Sequence, residues 1–216
     1  MSTYKEISGT RVKNFAGSDY PGAETGELWY DSANVDFRYK YPNLTTSGSW
    51  RTGTNLPYDA TGVNGVGAQT AALIFGGEAP SGEVNTTNSY DGTTYTTVNS
   101  MNESRQISMN FGTSTSAIAS GGELDGAPTS GKTESWNGTS WTETTDLNTA
   151  RRNGGGSGSD STSGIVFGGG EHPSYNANTE SWNGSTWTEV GDLPTGQAGS
   201  SAGDSATAAL FFGGPL

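Results

Sequence analysis

Short apolar runs and polar, glycine-rich turns alternate along the chain with a constant spacing. Each copy of the pattern has an aromatic residue, a large aliphatic residue six positions later, and a glycine pair about twenty positions after that. The copies are Trp50, Leu56 and Gly76-Gly77; Tyr95, Met101 and Gly121-Gly122; Trp141, Leu147 and Gly168-Gly169; and Trp187, Leu193 and Gly213-Gly214. Successive aromatic residues lie 45, 46 and 46 positions apart. A repeat of this length predicts a stacked or radial architecture.

An apolar run leads into each glycine pair. The four segments are AALIFGG from Ala71, SAIASGG from Ser116, GIVFGG from Gly164 and AALFFGG from Ala208. Continuous apolar runs of this length, bounded by glycine and serine, predict strands buried on both faces. The glycines allow positive φ angles and close backbone approach where each strand ends.

Three of the four glycine pairs are followed by a hairpin signal. The predicted turns are Asp91-Gly92, Asn137-Gly138 and Asn183-Gly184, which are residue pairs that tolerate the left-handed conformations of tight turns. The aromatic pairs Tyr90 and Tyr95, Trp136 and Trp141, and Trp182 and Trp187 bracket these turns. Each unit is therefore predicted to have four short antiparallel strands, with large rings between neighbouring sheets.

These motifs resemble the kelch repeat, in which a strand ending in Gly-Gly precedes a Tyr or Trp and then a further Trp. The resemblance covers residues 50–214, and the period of 45 to 46 is shorter than the kelch period of about 50. The second copy departs from the pattern with Ala119-Ser120, and arginines follow the aliphatic position only in the second and third copies, at Arg105 and Arg151. The resemblance implies an all-β fold, a small β-propeller of about four four-stranded blades.

The last glycine pair lacks a following hairpin, and the N-terminal part of the chain contains candidate strands for it. LWYD begins at Leu28, VDFRYKY begins at Val35, and a turn-rich segment leads to Trp50. We expect these strands, within residues 28–50, to complete the last blade and to remove an exposed strand edge. The propeller domain then spans residues 28–216. In the alternative, the hairpin stands apart and another subunit completes the array.

Residues 1–27 match no repeat and contain the basic residues Lys5, Arg11 and Lys13. We interpret this segment as an N-terminal arm that docks on a partner; a frayed terminus is the alternative.

The whole chain has a net charge of −12 and no cysteine. Such acidity opposes nucleic-acid binding and favours solubility. The N-terminus lacks the apolar core of a signal peptide, and no run is long enough to span a membrane.

Three motifs resemble a phosphate-binding, a cation-binding and a catalytic site, and for each we favour a structural interpretation. Residues 126–133, GAPTSGKT, fit the phosphate-loop pattern, which requires a following helix. Alignment of the copies instead makes this segment a variable loop, so Lys132 and Thr133 should begin a strand. Glu78, Glu123 and Glu171 follow the glycine pairs without the ligand spacing of a calcium loop. His172 is the sole histidine, and the sequence contains no nucleophile-elbow motif that would supply a serine for a catalytic triad with it. We predict no catalytic residue, cofactor or metal.

The chain as a whole, from the GELWYD segment at Gly26 to the glycine- and serine-rich repeats, resembles virion structural proteins of tailed, marine-type bacteriophages. That resemblance implies a non-enzymatic structural protein, made in the host cytoplasm and displayed on the particle as a tail-fibre or adhesin component or a head-decoration protein. Its expected partners are other virion proteins, further copies of itself and host surface glycans. The rival interpretation is a lectin or a glycan-processing propeller enzyme, with Tyr58 and Tyr175 as possible glycan contacts.

Overall fold

The regular structure of this chain is β-sheet. The computed structural model describes residues 13–15, 28–33, 35–39, 53–124, 128–171 and 173–212. These ranges contain no helix, and accordingly none that is long and apolar enough to cross a membrane. The chain divides into two compact units, Met1–Thr52 and Gly53–Leu216.

The smaller unit contains one three-stranded sheet. Its strands are β1 (Lys13–Phe15), β2 (Leu28–Asp31) and β3 (Asp36–Tyr39). β1 pairs with β2 in parallel, and β2 and β3 form an antiparallel hairpin in which Tyr30 lies opposite Phe37. The carboxylate of Asp31 accepts the backbone N–H of Ala33 at 3.0 Å and so stabilises the turn.

The larger unit contains four successive groups of strands. The first group is β4 (Asn64–Ala68), β5 (Ala71–Phe75), β6 (Glu78–Ala79), β7 (Gly82–Glu83), β8 (Thr87–Tyr90) and β9 (Tyr95–Val98). The second is β10 (Arg105–Gln106), β11 (Met109–Thr113), β12 (Ser116–Ser120), β13 (Glu123–Leu124), β14 (Thr133–Trp136) and β15 (Trp141–Thr144). The third is β16 (Gly155–Asp160), β17 (Ser163–Phe167), β18 (Gly170–Glu171), β19 (Ser174–Tyr175), β20 (Thr179–Trp182) and β21 (Trp187–Glu189). The last is β22 (Ser200–Ser205) and β23 (Ala208–Phe212).

The three complete sheets share one topology. Their strand orders are β4-β5-β8-β9, β11-β12-β14-β15 and β16-β17-β20-β21, and every neighbouring pair is antiparallel. β22 and β23 form the fourth sheet, and the four sheets are arranged like the blades of a four-bladed β-propeller. The prediction of an all-β, four-bladed propeller is confirmed.

The tight hairpin turns form where the sequence predicts them. Gly92, Gly138 and Gly184 have φ angles of 94°, 90° and 92°, a region in which a side chain is strained. The residue before each glycine accepts two backbone N–H groups with its side-chain oxygen, as Asp91 does from Thr93 and Thr94 at 2.8 Å. These bonds satisfy the amides that the tight turn leaves outside the strand ladder.

Aromatic rings fill the spaces between sheets. Trp141, on the outer strand of the second sheet, packs edge-on against Phe75 of the first sheet at a ring-centroid distance of 4.8 Å. Trp187, at the equivalent position of the third sheet, meets Phe111 of the second sheet at 6.2 Å. The core of the larger unit therefore consists of layers between neighbouring sheets, as the spacing of the aromatic residues predicts.

The fourth sheet departs from the predicted burial. Phe75 and Phe167 are 0% and 5% exposed, whereas Phe212, at the corresponding repeat position, is 49% exposed and Leu210 is 64% exposed. Burial on both faces is thus wrong for β23. Within the described residues β23 pairs with β22 alone, whereas β5, β12 and β17 each pair with two strands.

Completion of the fourth blade by the N-terminal strands stays a prediction. In the described pairings, β2 has β1 on one side and β3 on the other. Residues 40–52, which include Trp50, and residues 213–216 lie outside the described residues.

One contact of the larger unit favours completion of the blade. Thr54 lies four positions after the aromatic residue of its copy, and its Oγ1 donates to Thr93 O at 2.5 Å. The equivalent bonds of the next two copies are Asn99 Nδ2 to Thr139 O and Thr145 Oγ1 to Ser185 O, both 2.8 Å. In those copies the donor follows the outer strand of one sheet and binds the hairpin tip of the next. Thr54 therefore occupies the place of a residue that follows the outer strand of a preceding blade.

Candidate functional site

Two buried ion pairs are the most strongly charged features of the described interior. Arg105 Nη2 lies 2.8 Å from Glu134 Oε1, and Arg151 Nη1 lies 2.9 Å from Glu180 Oε1. All four side chains are 0% exposed. The two pairs occupy equivalent positions, because each arginine follows the aliphatic landmark by four residues and each glutamate lies on the third strand of the next sheet.

Each glutamate also holds the loop that carries its arginine. Glu134 Oε2 accepts the backbone N–H of Asn102 at 2.8 Å and its Nδ2 at 2.9 Å. Glu180 Oε2 accepts the same two groups of Asn148 at 2.8 Å and 2.9 Å. The carboxylates therefore tie the loop between two sheets to the second of those sheets, and such charge-assisted bonds offset part of the cost of burying the charge.

The guanidinium groups differ in how completely they are bonded. Arg105 Nη1 donates to Gly121 O at 3.1 Å and to Lys132 O at 2.8 Å. The guanidinium of Arg151 contacts Glu180 as an ion pair, and none of its nitrogens makes a well-aligned hydrogen bond within the described residues. Burial lowers the pKa of both arginines, and the facing glutamates oppose that effect.

In the first sheet, uncharged residues occupy the positions of the ion pair. Ala60 stands at the position of the arginine, and Asn88 stands at that of the glutamate. Tyr58 Oη donates to Gly76 O at 2.9 Å, the carbonyl equivalent to the one that Arg105 contacts at Gly121. Burial raises the pKa of Tyr58. Tyr58 thus stabilises the strand end, a role that its candidacy as a glycan contact did not anticipate.

A chain of backbone hydrogen bonds links the sheets at one end of their first strands. Ile107 N donates to Gly62 O at 3.0 Å, Asn153 N to Ile107 O at 3.2 Å, and Gly199 N to Asn153 O at 3.1 Å. These four positions are spaced by one repeat, and the first three have positive φ angles. Each sheet is therefore joined to the next by the same bond.

A cavity of about 800 Å³ lies among the first strands of the four sheets. Its lining is dominated by glycine and serine from β4, β11, β16 and β22, with Asn110 and Phe111 beside them. Asp204 is the one charged side chain among the described lining residues. The lining offers backbone groups, hydroxyls and amides, which suit hydrogen bonding to a neutral polar group.

The acids after the glycine pairs contact side chains of the following copy. Glu78 Oε2 accepts Gln106 Nε2 at 3.3 Å, and Glu123 forms an ion pair with Arg152. Glu171 lies in β18, and its side chain is outside the described part of the structure. Among the side chains that the structure does describe, no three potential metal ligands cluster.

The phosphate-loop segment leads into a strand. β14 begins at Thr133, which is 1% exposed, and Lys132 pairs with Glu103 through its Nζ. That hydrogen bond raises the pKa of Lys132. Residues 125–127, which include the first glycine of the motif, lie outside the described residues. No helix N-terminus faces Lys132 in the described chain, so its backbone lacks the amide cradle of a phosphate site.

Of the other predicted site residues, the structure describes Tyr175 and the backbone of Lys13. Tyr175 is partly buried on β19, and Lys13 begins β1, where its side chain is not described. Lys5, Arg11 and His172 lie outside the described residues.

Comparison with known proteins adds no assignment, since no family model matches the chain and no curated protein matches it.

The buried ion pairs are the features that sequence reasoning missed. Arg105 and Arg151 stand out in the sequence only as departures from the repeat. A signal for their partners exists: Glu134 and Glu180 lie 29 positions after the arginines, and the first copy lacks both members of the pair.

Proposed function

We propose that this protein is a non-enzymatic structural module displayed on the surface of a virus particle of the tailed-bacteriophage type. The observation that carries the proposal is that the buried ionisable side chains of the larger unit, and Lys132, form ion pairs within the fold. The two pairs that are completely buried, Arg105 with Glu134 and Arg151 with Glu180, tie the loop between two sheets to the second of those sheets. Lys132, the lysine of the phosphate-loop pattern, forms an ion pair with Glu103 next to β14.

The charge distribution supports a displayed module. Residues 53–216 contain 16 acidic and four basic residues, so this part of the chain accounts for the whole net charge of −12. All four basic residues, Arg105, Lys132, Arg151 and Arg152, form ion pairs within the fold. The remaining surface charge is acidic, which keeps copies soluble at the high local concentration of a particle surface.

Docking is assigned to the N-terminal arm, residues 1–27. Within residues 1–13 of the arm, Lys5, Arg11 and Lys13 outnumber the single acidic residue Glu6, and this basic stretch fits an acidic partner such as a virion lattice. Head decoration and a tail-fibre or adhesin role share this arrangement, with homo-oligomers as the expected form in the particle.

The test is to locate the protein in purified particles by mass spectrometry and by labelling with an antibody. The proposal expects a fixed copy number per particle, and loss of the protein from particles when Lys5, Arg11 and Lys13 are all changed to Glu. A matched control changes Asp91, Asp160 and Asp204 to Asn and leaves incorporation unchanged. Absence of the wild-type protein from particles overturns the proposal.

A glycan-binding role is the second candidate, and the cavity favours it. Its volume of about 800 Å³ lies within the usual range of ligand pockets, and its lining is rich in hydroxyl and amide groups. A glycan array, followed by titration of the best glycan against an Asn110→Ala variant, tests this role. Weaker binding by the variant supports a lectin. Release of reducing sugar from capsular or cell-wall glycan contradicts the non-enzymatic assignment.

A further inference from the structure

Four Asn-Gly dipeptides occur in the chain, and the structure places them in three different environments. Asn137-Gly138 and Asn183-Gly184 form exposed hairpin tips. Asn64 is a buried residue at the start of β4, and Asn153 is an exposed residue in the connection between β15 and β16. Asparagine before glycine is the sequence most open to attack by the following backbone nitrogen on the side-chain amide, because glycine adds no steric bulk. The sequence alone therefore ranks the four sites equally.

The two hairpin tips hold the side-chain carbonyl between two backbone donors. Asn137 Oδ1 accepts the N–H groups of Thr139 and Ser140, both at 2.9 Å. Asn183 Oδ1 accepts those of Ser185 and Thr186 at 3.0 Å and 2.9 Å. Paired backbone N–H groups on a carbonyl oxygen stabilise the negative charge that develops there when a nucleophile adds to the carbon.

The neighbouring glycine supplies that nucleophile. In the described structure the amide nitrogens of Gly138 and Gly184 take part in no hydrogen bond, and both tips are open to water. The nucleophile and the carbonyl belong to adjacent residues, so the reaction is intramolecular and needs no binding step.

We propose that Asn137 and Asn183 are sites of spontaneous deamidation, favoured by the paired amides of their turns. Hydroxide removes the proton of the glycine amide, the nitrogen bonds to Cγ, and the Cγ–Nδ2 bond breaks as ammonia leaves with a proton from water. Water then opens the cyclic imide. Cleavage of the bond from the glycine nitrogen to Cγ gives aspartate, and cleavage of its bond to the main-chain carbonyl carbon gives isoaspartate.

The first sheet already contains the aspartate product. Asp91 stands at the equivalent position and accepts Thr93 and Thr94 N–H at 2.8 Å, and Thr94 Oγ1 donates to its second oxygen at 3.0 Å. The turn accepts aspartate without loss of its bonds. The backbone amides of Thr94 and Thr93 lower the pKa of Asp91, so conversion adds a full negative charge to the exposed tip.

The other two dipeptides are internal controls. Asn64 is 5% exposed; its Oδ1 accepts Ser108 N–H at 2.9 Å and Asn110 Nδ2 at 3.3 Å, and its Nδ2 donates to Phe75 O at 3.3 Å, so it controls for burial. The side chain of Asn153 is exposed, and no hydrogen bond within the described residues activates its carbonyl. Asn64 lacks water and freedom to move, and Asn153 lacks the paired donors.

The experiment incubates the full-length folded protein in mildly alkaline buffer and follows all four sites by peptide mapping with mass spectrometry. Heavy-oxygen water marks the products of imide opening. We expect Asn137 and Asn183 to convert at least about tenfold faster than Asn64 and Asn153, a smaller effect than the roughly 10²–10³-fold that one oxyanion-hole donor contributes in an enzyme. In urea the four rates should become similar, because the dipeptides are identical.

Two outcomes overturn the proposal. One is conversion of Asn64 or Asn153 at the rate of the hairpin tips in the folded protein, and the other is the absence of conversion at both tips. A double variant, Asn137→Asp with Asn183→Asp, tests the product separately. It should keep the wild-type melting temperature, because Asp91 already forms the same turn; a loss of folding contradicts the assigned product.

Discussion

At the scale of residues, equivalent positions of the sheets contain either a buried ion pair or two uncharged residues. The second and third sheets use an arginine and a glutamate, completely buried, where the first sheet has Ala60 and Asn88. A buried ion pair stabilises little compared with an uncharged replacement of similar shape, because desolvation of the charges offsets their attraction. Loss of one partner is far more costly than loss of both.

Copying the first sheet into the third tests this reasoning. Arg151→Ala leaves Glu180 buried without its cation, and we expect a loss of about 3–5 kcal/mol in the free energy of unfolding. The double variant Arg151→Ala with Glu180→Asn should recover much of that loss. Urea unfolding measures both of these variants and the single variant Glu180→Asn. A double variant that loses the sum of the two single losses contradicts the assigned coupling.

Tyr58 offers a test that depends on pH. Its pKa is raised above 10.0 by burial, so the unfolded chain loses this proton before the folded chain does. The stability that Tyr58 contributes is therefore present below its unfolded pKa and is lost as the pH rises through its folded pKa. Tyr58→Phe should cost about 1 kcal/mol at neutral pH through the lost bond to Gly76 O.

The measurement compares urea unfolding of wild type and Tyr58→Phe at neutral and alkaline pH. The difference in stability between them should shrink at high pH. A constant difference across that range contradicts the role given to the hydroxyl. Tyr95→Phe, at a half-buried position of the first hairpin, is the matched control.

At the scale of strands, features that depend on local residue type could be predicted from the sequence, and features that depend on neighbouring strands could not. The hairpins at Asp91, Asn137 and Asn183 were predictable because residue type alone determines which positions accept a positive φ. The two-residue strands β6, β7, β10, β13, β18 and β19 were not, because two residues are too few to show the alternation of apolar and polar positions that predicts a strand. The exposure of β23 was missed for a related reason: an apolar run does not reveal which strands flank it.

The packing of one sheet on the next gives a prediction at this scale. Phe75 is 0% exposed and packs against Trp141 of the second sheet, so Phe75→Ala should lower the free energy of unfolding by about 3–5 kcal/mol. Val190 is 41% exposed, and Val190→Ala should cost less than about 0.5 kcal/mol. Chemical denaturation measures both variants. Equal losses contradict the view that interfaces between sheets form the core.

At the scale of the whole molecule, the larger unit is understood as one group of strands repeated around an axis. The backbone bonds that join Gly62, Ile107, Asn153 and Gly199, and the contacts of Thr54, Asn99 and Thr145 with the next hairpin tip, recur with the period of the sequence. Such a ring is stable only when its last sheet is as complete as the others, because an open sheet leaves a strand edge and an apolar face exposed. The central claim is therefore that N-terminal strands within residues 28–50 complete the fourth blade.

Thermal unfolding of a variant that lacks residues 1–46 tests this claim most directly, with the full-length protein beside it. Completion of the blade predicts an unfolded or aggregated product, because β23 loses the strands that would cover Leu210 and Phe212. A soluble remainder that unfolds cooperatively near the temperature of the full-length protein would contradict the claim and make the N-terminal strands a separate arm.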